Sequence, residues 1–262
     1  IGPDLTWLPE LFDRGLRNIT LTHAGHNQFA DSSRPQERLN DGKQEHGGLS
    51  ELGRSLVREM NDLGVIVDVS QVTPQAVFQT SELSSAPIIA SHSGIKAIIN
   101  TSRNLSDSEM VAIKNTGGTV GIVAFSSYLK ASPPGKREAL SKLTAEYGTT
   151  NVAAITAALS PEKVAQFKVN FAAYEDAFPP ATVADYVDSI TYAVNLLGIE
   201  HVTISSDMEH GGGIAGWMDA GEAFRVTEEL VSRGYTEDQI AKLWWLNFAR
   251  MWRAVEAVAN ES

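Results

Sequence analysis

The stretch MNDLGVIVDVSQ (60–71) decides the fold class. Its first residues close a helix: Leu52, Leu56, Met60 and Leu63 recur at three- and four-residue spacing, which gathers them into one apolar stripe. Gly64 then stops the helix, because a helix C-terminus favours left-handed backbone that glycine adopts without steric cost. The run VIVDV that follows is short, mostly β-branched and closed by the polar Gln71. A strand covered on both faces reads this way.

The same unit recurs on either side. LFDRG leads into LRNITLTH, ending at His23, and KNTGG leads into TVGIVAF, ending at Phe125. NLLG leads into IEHVTISSD, ending at Asp207, and a fifth run, APIIASH, is opened by Pro87 and ends at His92. Helix starts fall between the runs. Thr73 before Pro74 reads as an N-cap with proline at the first helical position. Ser106 with Glu109, and Thr236 with Gln239, fit capping boxes. Alternating strands and helices predict a parallel sheet with right-handed crossovers.

The expected fold is a TIM-type (β/α)8 barrel, with 1–262 as a single domain carrying an insertion at about 129–181. There Pro133, Pro134, Pro179 and Pro180 surround helix-like segments at 136–147 and 161–175. Five strands are readable against the eight of a closed barrel, so the chain is expected to lack the first two barrel strands. An open doubly wound sheet is the other arrangement that five strands satisfy.

Composition narrows the function classes. With 262 residues and 43% apolar content, the chain can bury a full core without disulfides. It has no cysteine, which excludes a thiol nucleophile, Cys-ligated zinc and a redox pair. A net charge of −11 argues against a nucleic-acid partner. No run approaches the ~18 apolar residues of a membrane span. No P-loop, GxGxxG, GxSxG or HExxH is present.

In parallel α/β folds, ligands gather at the carboxyl ends of the strands. Here those ends carry His23, Gln71, His92 and Asp207. An imidazole such as His92 suits zinc ligation or proton transfer, and Asp207 can act as acid or base. Asp207 precedes the Gly-rich EHGGG (209–213), which reads either as a close approach to ligand or as a flexible loop. Arg103, in the loop before the helix capped by Ser106, can clamp a carboxylate or be an ordinary surface arginine. His26, His46, His201 and His210 read as loop or surface histidines, with His210 raised in interest by the glycines beside it.

Taken together, LRNITLTH (16–23), GLSELGRSLVREMNDLGVIVDVS (48–70), SAPIIASHS (85–93), SRN (102–104), TISSD (203–207) and LWWLNFARMWRAVEAV (243–258) resemble the renal (membrane) dipeptidase family of zinc metallopeptidases. The resemblance implies a (β/α) barrel with two zinc ions that cleaves dipeptides. It implies that His92 is a ligand of the second zinc, that His23 contacts the substrate and the oxygen of the tetrahedral intermediate, and that Arg103 holds the substrate's C-terminal carboxylate. Asp207 would accept a proton from the attacking water and pass it to the leaving amine, and Tyr128 would lie near the substrate. The chain departs from the pattern in two places. The opening His-x-Asp motif and the bridging glutamate are not in it, and Gln71 stands where the second zinc's other histidine is expected, as a weak ligand at best.

The alternative is a non-hydrolytic homologue that binds or tailors a small amino-acid-like ligand or a peptide natural product. The resemblance also implies a homodimer and an exported or periplasmic bacterial protein. Trp244, Trp245 and Trp252 read either as packing against the barrel or as part of a dimer contact.

Overall fold

A computed structural model describes residues 4–149, 155 and 159–261. Six parallel strands make one sheet: β1 Asn18–Thr20, β2 Ile66–Asp68, β3 Ile89–Ile95, β4 Asn104–Leu105, β5 Thr119–Val123 and β6 Val202–Ser205. Their order is β1-β2-β3-β5-β6, with the two-residue β4 paired to β3. Neighbours follow chain order and the order never reverses. A doubly wound sheet reverses at its switch point, so that alternative fails, and the sheet is a singly wound arc of the kind a barrel uses.

The strands match the apolar runs, with two differences. β3 does not stop at His92 but continues to Ile95, so His92 lies inside a strand. The register of β3 against β5 shifts between Ala90 and Ser93, at the residues flanking His92. Such irregularities re-aim side chains. β4 is too short for any periodicity to reveal.

Helices cover the sheet. α1 is Trp7–Asp13, α2 Glu51–Leu63, α3 Pro74–Leu83 and α4 Asp107–Asn115. In α2 the stripe behaves as its spacing predicts: Leu56 and Met60 are fully buried, and Gly64 ends the helix at φ 75°. Ser106 and Glu109 form the expected capping box at α4. Thr73 precedes α3 with Pro74 at the start, but its hydroxyl makes no capping bond.

In the region at about 129–181 the short α5 (Ser126–Leu129) is followed by α6, Lys136–Ala145, and α7, Pro161–Ala177, close to the helix-like segments of the sequence. Positions 150–154 and 156–158 of that region lie outside the described residues. Leu143, Ile155 and Phe167 make a small apolar cluster of their own, apart from the main core. α8, Val183–Leu197, returns the chain to the sheet. Its buried Tyr186 donates from its hydroxyl to the Ile122 carbonyl at 2.8 Å, under β5.

The C-terminal part holds α9 (Phe224–Ser232), α10 (Glu237–Ala241, with the Thr236–Gln239 capping box), a π-helical turn Lys242–Leu246 and α11 (Asn247–Glu261). Trp244 packs on the main core and donates to Thr227 Oγ1 at 3.0 Å. Trp252 packs on Met251 and Val255, whereas Trp245 is 54% exposed. Among the described residues no helix is long and apolar enough to cross a membrane.

The long loop 24–50 packs tightly on α2. A Cβ on Gly53 of α2 would lie 2.0 Å from the Phe29 carbonyl oxygen, so the helix and the loop backbone touch with no room for a methyl group. Gly53→Ala is therefore expected to destabilise the protein by about 1–3 kcal/mol through overpacking. Urea unfolding of the two forms measures it; equal midpoints would contradict the packing described.

Candidate active site

The carboxyl ends of the strands surround a cavity of about 550 Å3. His23, Gln71, His92, Arg103, Tyr128 and Asp207, the residues singled out in the sequence, all line it. His210 lines it too, beside Thr20, Thr22, Asn27, Arg34 and Phe125, which the sequence did not single out. Arg34 sits in a loop without motif or periodicity. A signal did exist for the buried Asp68, an acid inside the apolar run VIVDV.

Asp68 is the base of the site. It accepts from Thr20 Oγ1 at 2.7 Å, Ser91 Oγ at 2.6 Å, and the backbone N–H of Ser70 and Ser91 at 2.9 and 3.0 Å. The Ser91 hydroxyl spends its one proton on Asp68, so at 2.7 Å it must accept from His92 Nδ1. His92 Nε2 is then the acceptor, and it takes a bond from the Gln71 amide nitrogen at 3.1 Å. The Gln71 amide oxygen accepts from Arg34 Nη2 at 2.9 Å. Proton positions along Arg34, Gln71, His92, Ser91 and Asp68 thus follow from the donors and acceptors available.

Two of the strand-end residues hold an uncommon backbone conformation. Gln71 has φ 72° and Asp207 φ 56°, both left-handed. Such backbone is costly outside glycine and gathers at functional sites. For Asp207 the loop after it explains the geometry: its carbonyl accepts from the N–H of His210 and Gly212. A Cβ on Gly212 would meet the Ser206 carbonyl oxygen at 2.0 Å, and Gly213 N–H donates to Ala124 at 2.7 Å. Gly212 of EHGGG therefore serves close packing, while Gly211 and Gly213 take left-handed backbone at φ 95° and 124°.

Arg103 is buried, donates from Nη2 to the His92 carbonyl at 3.1 Å, and lies 5.5 Å from the Tyr128 ring centre. Its Nε and Nη1 are buried without a partner. Burial lowers its pKa, but a guanidinium stays charged in proteins. Burial, with Arg34, His210 and Arg103 nearby, also pushes His23 down against the pull of Asp207, which favours neutral imidazole. His92 is likewise lowered, chiefly by burial.

The other histidines keep structural places. His26 accepts from Ser32 N–H at Nδ1 and donates from Nε2 to the Gly42 carbonyl, which ties the loop together. His46 pairs with the Asn27 carbonyl and His201 with that of Gly118.

These residues do not fit a metal ion by themselves. Gln71 turns its amide nitrogen to His92, which takes the one lone pair of His92 Nε2, and its oxygen already accepts from the Arg34 guanidinium, so a cation on that oxygen would sit beside a positive charge. Among the described residues no three His, Asp or Glu side chains converge as a ligand set. The guanidiniums of Arg34 and Arg103 line the same cavity, and like charge opposes a cation there.

A cavity made from strand ends and the loops that follow them is where (β/α)-barrel enzymes place their active sites. Within that class, the family model of the membrane dipeptidases (peptidase family M19) matches residues 1–262, and the chain belongs to that family. It is 31% identical over 266 residues to dipeptidase aclJ of Aspergillus oryzae, covering 99% of this chain and 50% of that protein. It is 27% identical to dipeptidase tcpJ of Claviceps purpurea, covering 94% and 46%. The chain thus spans about half the length of these relatives. Among solved structures, the probable dipeptidase PvdM from Pseudomonas aeruginosa superposes with a TM-score of 0.83 at 38% identity, over 98% of this chain and 67% of that one. A metallo peptidase from Rhodobacter sphaeroides, liganded with a phosphinate mimic of the dipeptide L-Ala-D-Ala, shares the fold at a TM-score of 0.67 and 23% identity, over 97% and 60%.

The loop that carries Arg34 is clamped by the buried Asp31, whose carboxylate accepts the N–H of Glu45, His46 and Gly48. Burial works to raise its pKa, and these bonds, with His26, outweigh it and hold the group below its ordinary value. A depressed carboxylate stabilises the fold above its unfolded pKa, and that stability is lost as pH falls through the folded value. Asp31→Asn should cost about 1–3 kcal/mol at pH 7, with the difference from the parent shrinking below about pH 4. Urea melts at both pH values test this; a difference unchanged at acid pH would contradict it.

Proposed function

We propose that the cavity binds a dipeptide by its C-terminal carboxylate and hydrolyses the peptide bond. The observation that carries this is Arg103, a buried guanidinium on the cavity wall with Nε and Nη1 unpartnered. A carboxylate suits such a site, because a guanidinium edge offers it two parallel N–H bonds, here from Nη2 together with either Nε or Nη1. A carboxylate fixed there also measures length, because only a dipeptide places its scissile bond one residue away.

The remaining roles follow from position. Asp207 takes the proton of the attacking water and delivers it to the leaving amine as the C–O bond forms and the C–N bond breaks. His23, kept neutral, donates a hydrogen bond to the carbonyl oxygen as charge develops on it. Tyr128 packs on the Arg103 guanidinium and stacks on Phe125 with ring centres 4.5 Å apart, which holds the arginine's wall of the cavity in place. The zinc pair implied by the resemblance finds no fit in this chain's residues, and no step here depends on it.

One observation favours a second reading. The Gln71 to His92 bond fills the place expected for a zinc ligand pair, which supports a homologue that binds or tailors a small amino-acid-like ligand or peptide natural product without cleaving it.

The longest natural form of the protein separates these readings by metal content and by release of amino acids from dipeptides and tripeptides. Cleavage of dipeptides alone supports the hydrolase; binding without release supports the second reading. Arg103→Met should weaken dipeptide binding about 10- to 100-fold, and unchanged binding would remove the carboxylate assignment. Asp207→Asn should lower kcat by about 100-fold or more with little change in KM.

A further inference from the structure

Arg34 has no place in the roles described so far, yet its position is built with care. Its backbone N–H donates to Ser32 Oγ at 3.1 Å, and its carbonyl accepts from Gly25 N–H at 2.9 Å. The side chain lines the cavity, Nη2 is held by the Gln71 amide oxygen, and Nε is buried without a partner. Arg103 shows the same pattern of buried, unpartnered guanidinium donors in the same cavity. Gln71 adopts its strained backbone in this arrangement. Its carboxamide, anchored on His92, orients the Arg34 fork.

Among the described residues lining the cavity, the charged side chains are Arg34, Arg103 and Asp207. Asp68 lies behind the wall, and its oxygens are already filled by four hydrogen bonds. It therefore offers no acceptor to Arg34, whose Nε is left without a partner. A dipeptide with an uncharged side chain brings one carboxylate, which Arg103 takes. A dipeptide with an acidic side chain brings a second carboxylate, the acceptor that a guanidinium prefers.

We propose that Arg34 forms a second anion subsite, and that the preferred ligand is a dipeptide-sized molecule with two acidic groups, a terminal carboxylate for Arg103 and an acidic side chain for Arg34. The proposal rests on the reading of the cavity as a dipeptide site. It also gives a reason for glutamine at position 71: the positive charge on this wall comes from a guanidinium that the glutamine positions.

The test compares Ala-Ala, Glu-Ala and Ala-Glu on the longest natural form of the protein. Kd is measured by titration calorimetry, with amino-acid release followed in parallel so that any cleaved peptide is scored by kcat/KM. At least one acidic peptide should be favoured over Ala-Ala by about tenfold or more, with the preference shrinking as salt is raised. Arg34→Met should abolish the preference, and Arg34→Lys, which keeps the charge without the fork, should retain part of it. Arg103→Met should weaken all three peptides. Equal treatment of the three by the unaltered protein, or a preference that survives Arg34→Met in a variant with a normal thermal melt, overturns the proposal and leaves the dipeptide reading standing. Failure of all three to bind overturns both. Because the preference is read first on the unaltered protein, a variant that fails to fold does not decide the outcome.

Discussion

The Asp68 carboxylate is the interaction on which the site depends. A fully buried carboxylate is costly unless its lone pairs are met. Here β1 supplies a hydroxyl, the chain after β2 an amide, and β3 both a hydroxyl and an amide. The acid therefore links three parallel strands at their carboxyl ends, where the ladder alone would leave polar groups facing the cavity. It also sets the direction of every hydrogen bond beyond it. Because Ser91 donates to Asp68, His92 must donate to Ser91, and its outer nitrogen is left to accept from Gln71.

That polarity connects packing to function. A histidine whose outer nitrogen accepts from a carboxamide is a fixed structural acceptor. The carboxamide in turn holds a guanidinium, and the cavity gains a positive charge at the end of a chain that began on a buried acid. The loop bearing Arg34 is ordered by similar means: Asp31 gathers three backbone N–H groups, and Gly53 lets α2 close on Phe29. The cavity is thus held by polar contacts between strand ends and by one tightly packed loop, while the apolar core lies below it.

Two walls of the cavity are made in different ways. Asp207 is delivered by the end of β6 in a left-handed conformation that the following glycines permit. Arg103 comes from the approach to β4, a strand of two residues whose partner is β3. Asn104 stitches that wall together, since its amide nitrogen donates to the carbonyls of Ile99 and Tyr128 at 2.9 Å each. Arg103 and Tyr128 face one another because a neighbour on the short strand holds the backbone of both segments.

The sequence by itself determined the strand-and-helix alternation, the parallel sheet and the polar residues that end the buried runs. Each of these is local: a β-branched run, a glycine stop or a capping box needs only a few neighbouring residues. His23, Gln71, His92, Arg103, Tyr128 and Asp207 were legible for that reason, through strand ends or through motif resemblance. Tertiary structure alone decided the strand order without reversal, the pairing of β4, and the identity of Gln71 as a donor to His92. It alone placed Arg34 in the cavity, 37 residues before its partner Gln71 in the chain. No local pattern encodes that contact, because a loop side chain acquires its partner only when the loop is folded back over the ends of the strands.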